Sequence, residues 1–488
     1  MSDEAIEAYR RVLENDPENV AARRHLARLL SAQGYSRQER GELDSAIEDY
    51  EEALALDPAQ PLACNNLGNA YRSAGRMEQA LAAYRDAIEL EPGLAEAHLN
   101  LGIALQQRGE HAAAAERYRD AIRLRSGLAN ASLNLGVLLE RTGDAGGAAQ
   151  CYRDAIAASP ECAEAHFNLG LQLLLGGNFE AGWEEFEWRF RMPELAPFWP
   201  YRGRPRWDGS RLDGGTILLY AEQGLGDAIQ FVRFAPMVAS RCARVILVCA
   251  PALKPLLEGS PGLSVVVAAS DAAPEFDACC SLLSLPRILG MTLPTLPAGV
   301  PYLTVDPERV RRWKARLAPD EDTMKVGLVW ATQSTNRTAQ ERTLALDLFA
   351  PLAGIAGVTY FSLQKGPAGA QGARPPAGMV LRDCASELHD FAETAALLSR
   401  LDLLISIDTA AAHLAGALGR PVWTLANWPP EWRWLLARED SPWYPTMRLF
   451  RRQRDEAWGE VISRVALVLR QNMARGPVTG QLPKLGSA

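Results

Sequence analysis

The sequence predicts an α-helical solenoid followed by an α/β region of two Rossmann-like halves. Three observations lead to this fold class: an internal repeat in the first 190 residues, a change of composition near residue 195, and a later alternation of apolar runs with helical stretches. The chain has 488 residues, which is more than one ordinary core holds, so several domains are expected.

The first region repeats with a period of 34 residues. In each repeat a Leu-Gly pair marks a first helix, a small residue marks its crossing with a second helix, and an aromatic residue lies further along that second helix. The recurring residues are Leu67-Gly68, Leu101-Gly102, Leu135-Gly136 and Leu169-Gly170, then Ala80, Ala114, Ala148 and Gly182, and then Tyr84, Tyr118, Tyr152 and Phe186. Because one helix pair cannot bury its apolar face alone, this period predicts a stacked solenoid. The pattern resembles the tetratricopeptide repeat (TPR) family.

An asparagine precedes each Leu-Gly pair and is a candidate for binding a peptide. These residues are Asn66, Asn100, Asn134 and Asn168. If all four project into the groove of the solenoid, their amides form a ladder that bonds an extended backbone of any sequence. This ladder resembles the one in the TPR region of O-linked N-acetylglucosamine transferase. The alternative is that asparagine is simply common at this position of the repeat.

The composition changes near residue 195. All twelve tryptophans lie at or after Trp183, and residues 198–215 are rich in proline, glycine and tryptophan, which is typical of an irregular connector. The predicted division is 1–195 for the solenoid, 196–320 for the connector and a first α/β half, 321–475 for a second half, and 476–488 for a tail.

Apolar runs alternate with helical stretches after the connector. The runs are 216–220, 244–249 and 263–267 in one series and 325–330, 358–363 and 403–407 in another, and the first series encloses helical stretches at 227–240 and 254–258. Near-continuous apolar strands in this rhythm predict parallel, doubly wound sheets. Two such halves resemble the GT-B arrangement of many glycosyltransferases, in which ligands bind at the carboxyl ends of the strands.

The first candidate segment follows the first of these strands. Gly224 and Gly226 permit a tight turn and the close approach of a ligand, and Asp227 lies where the next helix opens. A carboxylate there is able to accept the proton of an attacking hydroxyl as a general base. The alternative is an ordinary aspartate that caps the helix.

The second candidate segment follows the strand at 403–407. Asp408, Thr409 and Ala410 open a helix of small residues, whose free N–H groups form an anion site suited to a diphosphate. Asp408 either bonds sugar hydroxyls or caps the helix. His413, one turn further, either faces a leaving group or is a packed core residue.

A third segment, which contains Gln364 and Lys365, ends another strand of the second half. Lys365 is able to neutralise charge on a departing phosphate, and its alternative role is that of a solvated loop lysine. Further on, tryptophans crowd residues 423–443, where they either stack on a base or sugar or pack against helices.

Charge, cysteine pattern and hydropathy exclude several classes. With 51 basic and 59 acidic residues the net charge is −8 and no like-charge block stands out, so nucleic-acid binding is not expected. No apolar run reaches the length of a membrane helix and the N-terminus is acidic, so a cytoplasmic location is predicted. The eight cysteines form no C-x-x-C pair, and the acidic run at 320–322 lies in a linker, so no metal site and no cofactor are predicted.

Four segments together resemble the TPR-linked glycosyltransferases related to family nine, the heptosyltransferase family. The segments are GLGDAIQFVRFAP, FSLQKGP, SIDTAAAHLAGALGRPVWTL and PPEWRWLLAREDSPWYPTMRLFR. The resemblance implies a GT-B fold, a nucleotide sugar as co-substrate, no metal, and transfer that inverts the anomeric carbon. It places the acceptor on the first half and the nucleotide sugar on the second.

The resemblance also implies roles for particular residues. Asp227 is the expected base, Lys365 neutralises the leaving phosphate, and His413 faces the leaving group. The expected donor-binding residues are Gly224, Gly226, Trp330, Gln364, Lys365, Asp408, Thr409, Ala410 and His413. One departure concerns residues 332–340, where relatives carry a Trp-x-Gly-Asn-Pro segment and then Asp-Arg-x-Arg-Ser. Only Trp330, Arg342 and Thr343 match that pattern here.

The sequence therefore favours an enzyme that moves a sugar from a nucleotide sugar to a Ser or Thr hydroxyl of a protein held by the TPR groove. The plan is similar to that of bacterial flagellin-modifying enzymes, which makes flagellin the expected acceptor. One alternative is transfer to a lipid-linked or surface polysaccharide. Another, motivated by the altered segment 332–340, is a TPR adaptor with a degenerate transferase domain.

Overall fold

The computed structural model describes residues 2–333 and 340–474. The chain divides into two compact units, Met1–Leu169 and Gly170–Ala488, which are described separately below. The domain limits expected at 195, 320 and 475 stay predictions. The predicted tail 476–488 and residues 334–339 of the altered segment lie outside the described residues.

The first eleven helices are α1 and then five successive pairs, the first of which is α2 with α3. Their bounds are α1 Ser2–Asn15, α2 Val20–Glu39, α3 Leu43–Leu56, α4 Pro61–Ser73, α5 Met77–Leu90, α6 Ala95–Gln107, α7 His111–Leu124, α8 Ala129–Arg141, α9 Ala145–Ala158, α10 Ala163–Leu175 and α11 Phe179–Phe186. The turn inside a pair carries a glycine in the left-handed region, as at Gly75 (φ +75°) and Gly109 (φ +88°). This conformation ends the first helix and costs glycine little, whereas other residues adopt it rarely.

The recurring Leu-Gly and tyrosine positions meet inside each pair. A Cβ atom added at Gly102 would lie 2.6 Å from Cε1 of Tyr118, so only glycine lets the ring pack on the helix backbone. Tyr118 is 1% exposed and Ala114, one turn before it, is fully buried. The same close approach joins Gly68 to Tyr84 and Gly136 to Tyr152. The predicted helical solenoid is confirmed.

The second unit contains two sheets whose strands pair in parallel. The first sheet has β1 Leu212–Tyr220, β2 Cys242–Cys249, β3 Val265–Ala268 and β4 Ala278–Ser281 in the order β3-β2-β1-β4. The second has β5 Met324–Val329, β6 Val358–Ser362, β7 Leu381–Asp383, β8 Leu403–Ile407, β9 Val422–Ala426 and β10 Met447–Arg451 in the order β10-β9-β8-β5-β6-β7. The predicted α/β region with parallel sheets is confirmed.

The helices of the second unit connect these strands. They are α12 Leu225–Phe231, α13 Ala235–Ala239, α14 Lys254–Leu257, α15 Leu285–Ile288, α16 Pro307–Leu317, α17 Phe391–Leu398, α18 Ala410–Ala417 and α19 Trp458–Ala474. The single helix expected over 227–240 is wrong, because a 3-10 turn, Val232–Phe234, separates α12 from α13. Pro236 in the first turn of α13 has no N–H to continue the α-helical ladder, which accounts for the break.

The larger sheet holds the main core of the second unit. One face of α19 supplies Val461, Ile462, Val465 and Leu469, which are fully buried in one apolar cluster with residues of β5, β6 and β8. The Trp330 side chain, at the end of β5, is fully buried in the same cluster. This core fixes the strand ends from which the candidate site is built.

Candidate functional site

Two helices that follow strand ends meet at the candidate site. Helix α12 follows β1, helix α18 follows β8, and the two helices are in contact. A Cβ atom added at Gly226 would lie 2.8 Å from Cδ2 of His413. Gly226 is therefore required because the His413 ring from the other half packs on its backbone. The structure thus brings together two segments that the sequence singled out separately.

The carboxylate of Asp227 is bonded on both oxygens. Its Oδ2 accepts a hydrogen bond of 2.9 Å from the backbone N–H of Gly224, three residues earlier. Its Oδ1 accepts one from Nη2 of Arg433, which is 206 residues further along the chain. The Asp227 side chain is half-buried at the start of α12. The expected base is therefore in place, and it is ion-paired.

Arg433 is the centre of a small charged cluster. Its Nε donates to Oε1 of Gln230 at 2.8 Å, its Nη1 donates to Oε1 of Glu431, and its backbone N–H donates to Oε2 of Glu431 at 2.9 Å. Burial opposes the charge on Arg433, but Asp227 and Glu431 nevertheless hold its pKa above the usual value. The guanidinium therefore joins the second half to α12 of the first.

Glu431 lies among like charges. Burial raises its pKa to about 7, and the carboxylates of Asp408 and Asp227 act in the same direction, while Arg433 opposes them. An acid of this kind changes its protonation near neutral pH. Sequence reasoning did not single out Glu431. The only signal was an acidic residue inside the aromatic run PPEWRW.

Asp408 is buried and lies between Arg342 and His413. Its Oδ2 accepts a bond of 2.7 Å from Nη1 of Arg342, and its Oδ1 lies 3.7 Å from Nε2 of His413. Burial opposes ionisation, but His413 and Arg342 hold the pKa of Asp408 well below its usual range. The other ring nitrogen of His413, Nδ1, lies 3.0 Å from the Tyr444 hydroxyl. Asp408 is therefore a fixed anion at the end of β8.

Thr409 and Ala410 form the entrance to α18. Thr409 is the residue before the helix, and its hydroxyl lies 3.0 Å from that of Ser406. Both Thr409 and Ala410 are half-buried. They lie at the N-terminus of an eight-residue helix, where partial positive charge accumulates.

Gln364 and Lys365 make internal hydrogen bonds. Oε1 of Gln364 accepts from the backbone N–H groups of Trp330 at 2.9 Å and Ala331 at 2.7 Å, and its Nε2 donates to the carbonyls of Ala331 and Lys365. Gln364 thereby ties the end of β6 to the end of β5, while Trp330 is buried in the core. Lys365 is exposed, and its Nζ donates to the carbonyl of Leu388. Donor contacts by these three residues stay predictions.

Backbone strain is concentrated in the two loops that carry Asp227 and Arg433. Among the described residues, the non-glycine positions with left-handed φ are Gln223 at +62° and Leu435 at +55°. A bulky residue such as leucine rarely adopts this conformation. Strain of this kind clusters at functional sites, where the surrounding structure enforces it.

Helix α11 supports both sides of the site. The ring of Trp183, which is 2% exposed, lies edge-on to Phe231 of α12 at 6.2 Å and to Trp432 at 5.4 Å between ring centroids. Trp432 immediately precedes Arg433. The tryptophans of residues 423–443 that are at most 6% exposed are Trp423, Trp432, Trp434 and Trp443. Their burial agrees with the packing alternative for this run.

A buried ion pair fixes the loop after β1. Arg189 is fully buried and donates from Nη2 to Oε1 of Glu222 at 2.7 Å, and Nε1 of Trp199 donates to the other Glu222 oxygen at 3.2 Å. Burial opposes the charge on Arg189, but Glu187 and Glu222 hold its pKa above the usual value. Sequence reasoning missed this pair. Its signal was a charged residue directly before the QGLGD turn and another within EWRF.

The candidate peptide-binding asparagines occupy equivalent places on successive first helices. Asn66, Asn100 and Asn134 lie on α4, α6 and α8, which contact one another in succession, and each is half-buried, as is Asn168 on α10. Asn65, which sequence reasoning missed, is buried and accepts a bond of 2.9 Å from Nδ2 of Asn100. Its signal was the doubled asparagine where the next repeats have leucine.

Residues 2–333 and 340–474 contain neither a membrane-spanning helix nor a cluster of metal ligands. None of their helices has the length and apolar character to span a bilayer. In the same ranges, no three or more His, Cys, Asp and Glu side chains are grouped as ligands of a metal ion.

Family profiles match both regions of the chain. The TPR repeat profile matches residues 34–72 and 68–109, and a second tetratricopeptide repeat profile matches 99–153 and 133–186. The profile of glycosyltransferase family 9 (heptosyltransferase) matches residues 385–431, which contain Asp408, His413 and Glu431. Protein FlbA of Caulobacter vibrioides is 30% identical over 328 residues, which are 61% of this chain and 53% of the relative. The chain thus spans about half the length of that relative.

Several solved TPR structures are similar to the helical region. MamA is 26% identical and covers 34% of this chain and 96% of its own, with a TM-score of 0.31. YrrB, described as a TPR protein with an unusual peptide-binding site, is 21% identical over 39% of this chain and 94% of its own, with a TM-score of 0.32. PilF of Pseudomonas aeruginosa is 24% identical over 40% and 94%, with a TM-score of 0.32.

The repeats and their profiles define a TPR protein with an α/β region. Within that class, the chain is a TPR protein whose α/β region is related to glycosyltransferase family 9. Both resemblances predicted from the sequence are confirmed.

Proposed function

We propose that the protein is a glycosyltransferase that moves a sugar from a nucleotide sugar to a Ser or Thr hydroxyl of a polypeptide. One observation carries this proposal: the helix after β1, which holds Asp227, and the segment after β8, which holds Asp408 and His413, are brought together where Gly226 of α12 packs against His413 of α18. Ligands of parallel α/β sheets bind at such strand ends. The family 9 match over residues 385–431 supports the same chemistry.

The donor is placed on the second half. A diphosphate at the N-terminus of α18 accepts bonds from the backbone N–H groups of its first turn and is favoured by the helix dipole. Asp408 bonds hydroxyls of the sugar, and His413 faces the leaving group. Lys365 neutralises the charge that develops on the departing phosphate. Lys365 and the N-terminus of α18 thereby supply the positive charge that a metal ion provides in other transferases.

The acceptor is placed on the side of α12. Its hydroxyl oxygen attacks the anomeric carbon from the face opposite the diphosphate, and Asp227 takes the hydroxyl proton. A bond forms between that oxygen and the anomeric carbon, the bond from the carbon to the diphosphate oxygen breaks, and the nucleoside diphosphate leaves with the electron pair. This displacement inverts the anomeric carbon.

A polypeptide acceptor is favoured by the repeats. Partly exposed amides at Asn66, Asn100, Asn134 and Asn168 offer both donors and acceptors to an extended backbone. Among polypeptides we propose flagellin, because enzymes that modify it share this plan. The reaction is then placed in the bacterial cytoplasm, where nucleotide sugars are available.

The experiment is co-expression of flagellin with the full chain, followed by intact-mass measurement. We expect a gain of one or more sugar masses with the wild type and with the control Asp213→Ala, whose carboxylate lies on the surface. Asp227→Ala should give no gain. An unchanged flagellin mass together with transfer to a free saccharide would favour the polysaccharide alternative, and turnover of no nucleotide sugar would favour the adaptor.

A further inference from the structure

Arg433 is held entirely by acceptors of the candidate site. Its three guanidinium nitrogens donate to Asp227 and Gln230 of α12 and to Glu431, two residues before it. Two of these three acceptors are carboxylates. A guanidinium held in this way links the two α/β halves across the site.

The charges of this cluster cannot all stay paired once an anionic donor arrives. Three carboxylates, Asp227, Asp408 and Glu431, surround two guanidiniums, and each guanidinium is already bonded to a carboxylate, Arg342 to Asp408 and Arg433 to Asp227. A diphosphate adds two negative charges to this arrangement. Favourable binding therefore requires that a guanidinium be shared with the phosphates or released to them.

Arg433 is the guanidinium whose release changes the chemistry. The ring of its neighbour Trp434 stacks on His413 of α18 at 5.3 Å between centroids. The carboxylate of Asp408 is close enough to raise the pKa of Arg433, so the guanidinium lies within electrostatic reach of the α18 N-terminus. The planar fork of arginine suits two phosphate oxygens better than a lysine does. Leu435 holds its strained φ of +55° in the same loop.

The pairing also restricts Asp227. Arg433 and the backbone N–H of Gly224 occupy one lone pair on each oxygen of its carboxylate. Withdrawal of the guanidinium leaves Oδ1 free to accept the hydroxyl of an acceptor. The bond to Gly224 still fixes the direction of the side chain, so the freed oxygen stays at the site.

We propose that Arg433 binds the diphosphate of the donor and in doing so releases Asp227, so that the Arg433–Asp227 ion pair is a latch opened by the donor. This inference rests on the proposed function, because it requires a nucleotide donor at α18. It adds a phosphate-binding residue from residues 432–434. It also makes the ability of Asp227 to accept a proton depend on the bound donor. The order of events is donor first and acceptor second.

The test is calorimetric titration of the full chain with UDP, GDP, ADP and CDP. Arg433→Gln should weaken binding of the recognised nucleotide by about tenfold or more, because a charge-assisted contact to phosphate is lost. Asp227→Asn should strengthen it by roughly threefold to tenfold, because the latch is weakened while the bond from Gly224 is retained. In the double variant the gain should disappear. Arg438→Gln is the matched control, since Arg438 pairs with Asp440 on the same segment.

A latch predicts that Arg433→Gln weakens nucleotide binding and that Asp227→Asn strengthens it, whereas a static ion pair does not predict these opposite changes. If the wild type binds a nucleotide and Asp227→Asn does not tighten it, or Arg433→Gln leaves it unchanged, the latch is overturned while the donor site stands. If Asp227→Asn binds a nucleotide and the wild type does not, the ion pair blocks donor binding almost completely, which supports the latch. If neither the wild type nor Asp227→Asn binds any of the four, the latch and the proposed function both fall. Arg433→Lys, with thermal unfolding as a check, replaces Arg433→Gln if that variant does not fold.

Discussion

The TPR unit and the candidate site are built from contacts of different range. In the TPR unit the glycines of the Leu-Gly pairs, Gly68, Gly102 and Gly136, each pack on a tyrosine of the very next helix, and the same contact recurs from repeat to repeat. At the site, Arg433 bonds to Asp227, a residue 206 positions away. Repetition gives the first unit many equal contributions to stability, whereas single charged contacts give the site its chemistry. One substitution at the site therefore has no neighbouring copy to compensate for it.

Trp183→Ala should have the largest effect. Helix α11 resembles a repeat helix, but its Trp183 stabilises the site. Loss of the buried indole should lower the free energy of unfolding of the second unit by about 3 to 5 kcal/mol. Transfer activity should fall as well, since Phe231 and Trp432 lose their support. Urea unfolding measures the first effect. Trp188→Ala, at a half-buried position nearby, should cost clearly less, and equal losses would contradict the assignment.

Glu431→Gln tests how one ionisable group of the site contributes to stability. Because the pKa of Glu431 is raised to about 7 from its usual 4.5, the folded state holds this proton more tightly than the unfolded state. Its contribution to stability is therefore complete below pH 4.5 and is lost as the pH rises through 7. The wild type should lose up to about 3 kcal/mol relative to the variant across that range.

The measurement is urea unfolding of both proteins at several pH values. The groups that act on Glu431 are Arg433, Asp408 and Asp227, all present in both proteins, so the difference reports Glu431 itself. A difference that is independent of pH, or one that favours the wild type as the pH rises, would contradict the raised pKa.

Gly102→Ala tests the repeated contact of the TPR unit. The added methyl group would lie 2.6 Å from the ring of Tyr118, so the ring or the helix must shift, at a cost of roughly 1 to 3 kcal/mol. Gly127→Ala is the control, because nothing lies within 4 Å of its Cβ position. Circular dichroism during urea unfolding measures both. A neutral Gly102→Ala would show that the close approach is not needed.

Asn65→Leu should have the smallest effect. The next repeats carry Leu99 and Leu133 at this position, and both are buried. The lost amide contacts to Asn66 and Asn100 involve half-buried partners that water is able to satisfy. The stability of the first unit should change by less than about 1 kcal/mol. A loss well above that, in the same unfolding assay, would show that the amide bonds are a structural requirement.

The sequence predicted what depends on local pattern. The 34-residue period predicted the helix pairs because every repeat has the same neighbours. The apolar runs predicted β1, β2, β3, β5, β6 and β8, whereas β4, β7, β9 and β10 were not predicted. Asp227, Asp408 and His413 were identifiable because each follows a strand, although their roles stay predictions. The helix expected over 227–240 is interrupted because Pro236 lacks the N–H that a continuous α-helix needs, although the apolar pattern continues.

The sequence did not predict which distant side chains meet. Nothing in the GLGD and PPEWRW segments states that Asp227 and Arg433 bond to each other, because such a contact depends on how two sheets are arranged. The ion pair of Arg189 with Glu222 is hidden for the same reason. The bonds from the Gln364 amide to the backbone between β5 and β6 were not predicted either, and its donor contact stays a prediction.

The succession of α4, α6 and α8 sets the length of extended peptide that the proposed asparagine ladder spans. Packed helices are about 9 Å apart, so Asn66 and Asn134 are separated by roughly 18 Å, which an extended chain covers in about five or six residues. A folded domain does not present so long an extended strand with both edges free. If the ladder binds a polypeptide as proposed, it binds that chain before it folds or in a segment that never folds, and sugar transfer would then compete in time with the folding of the acceptor.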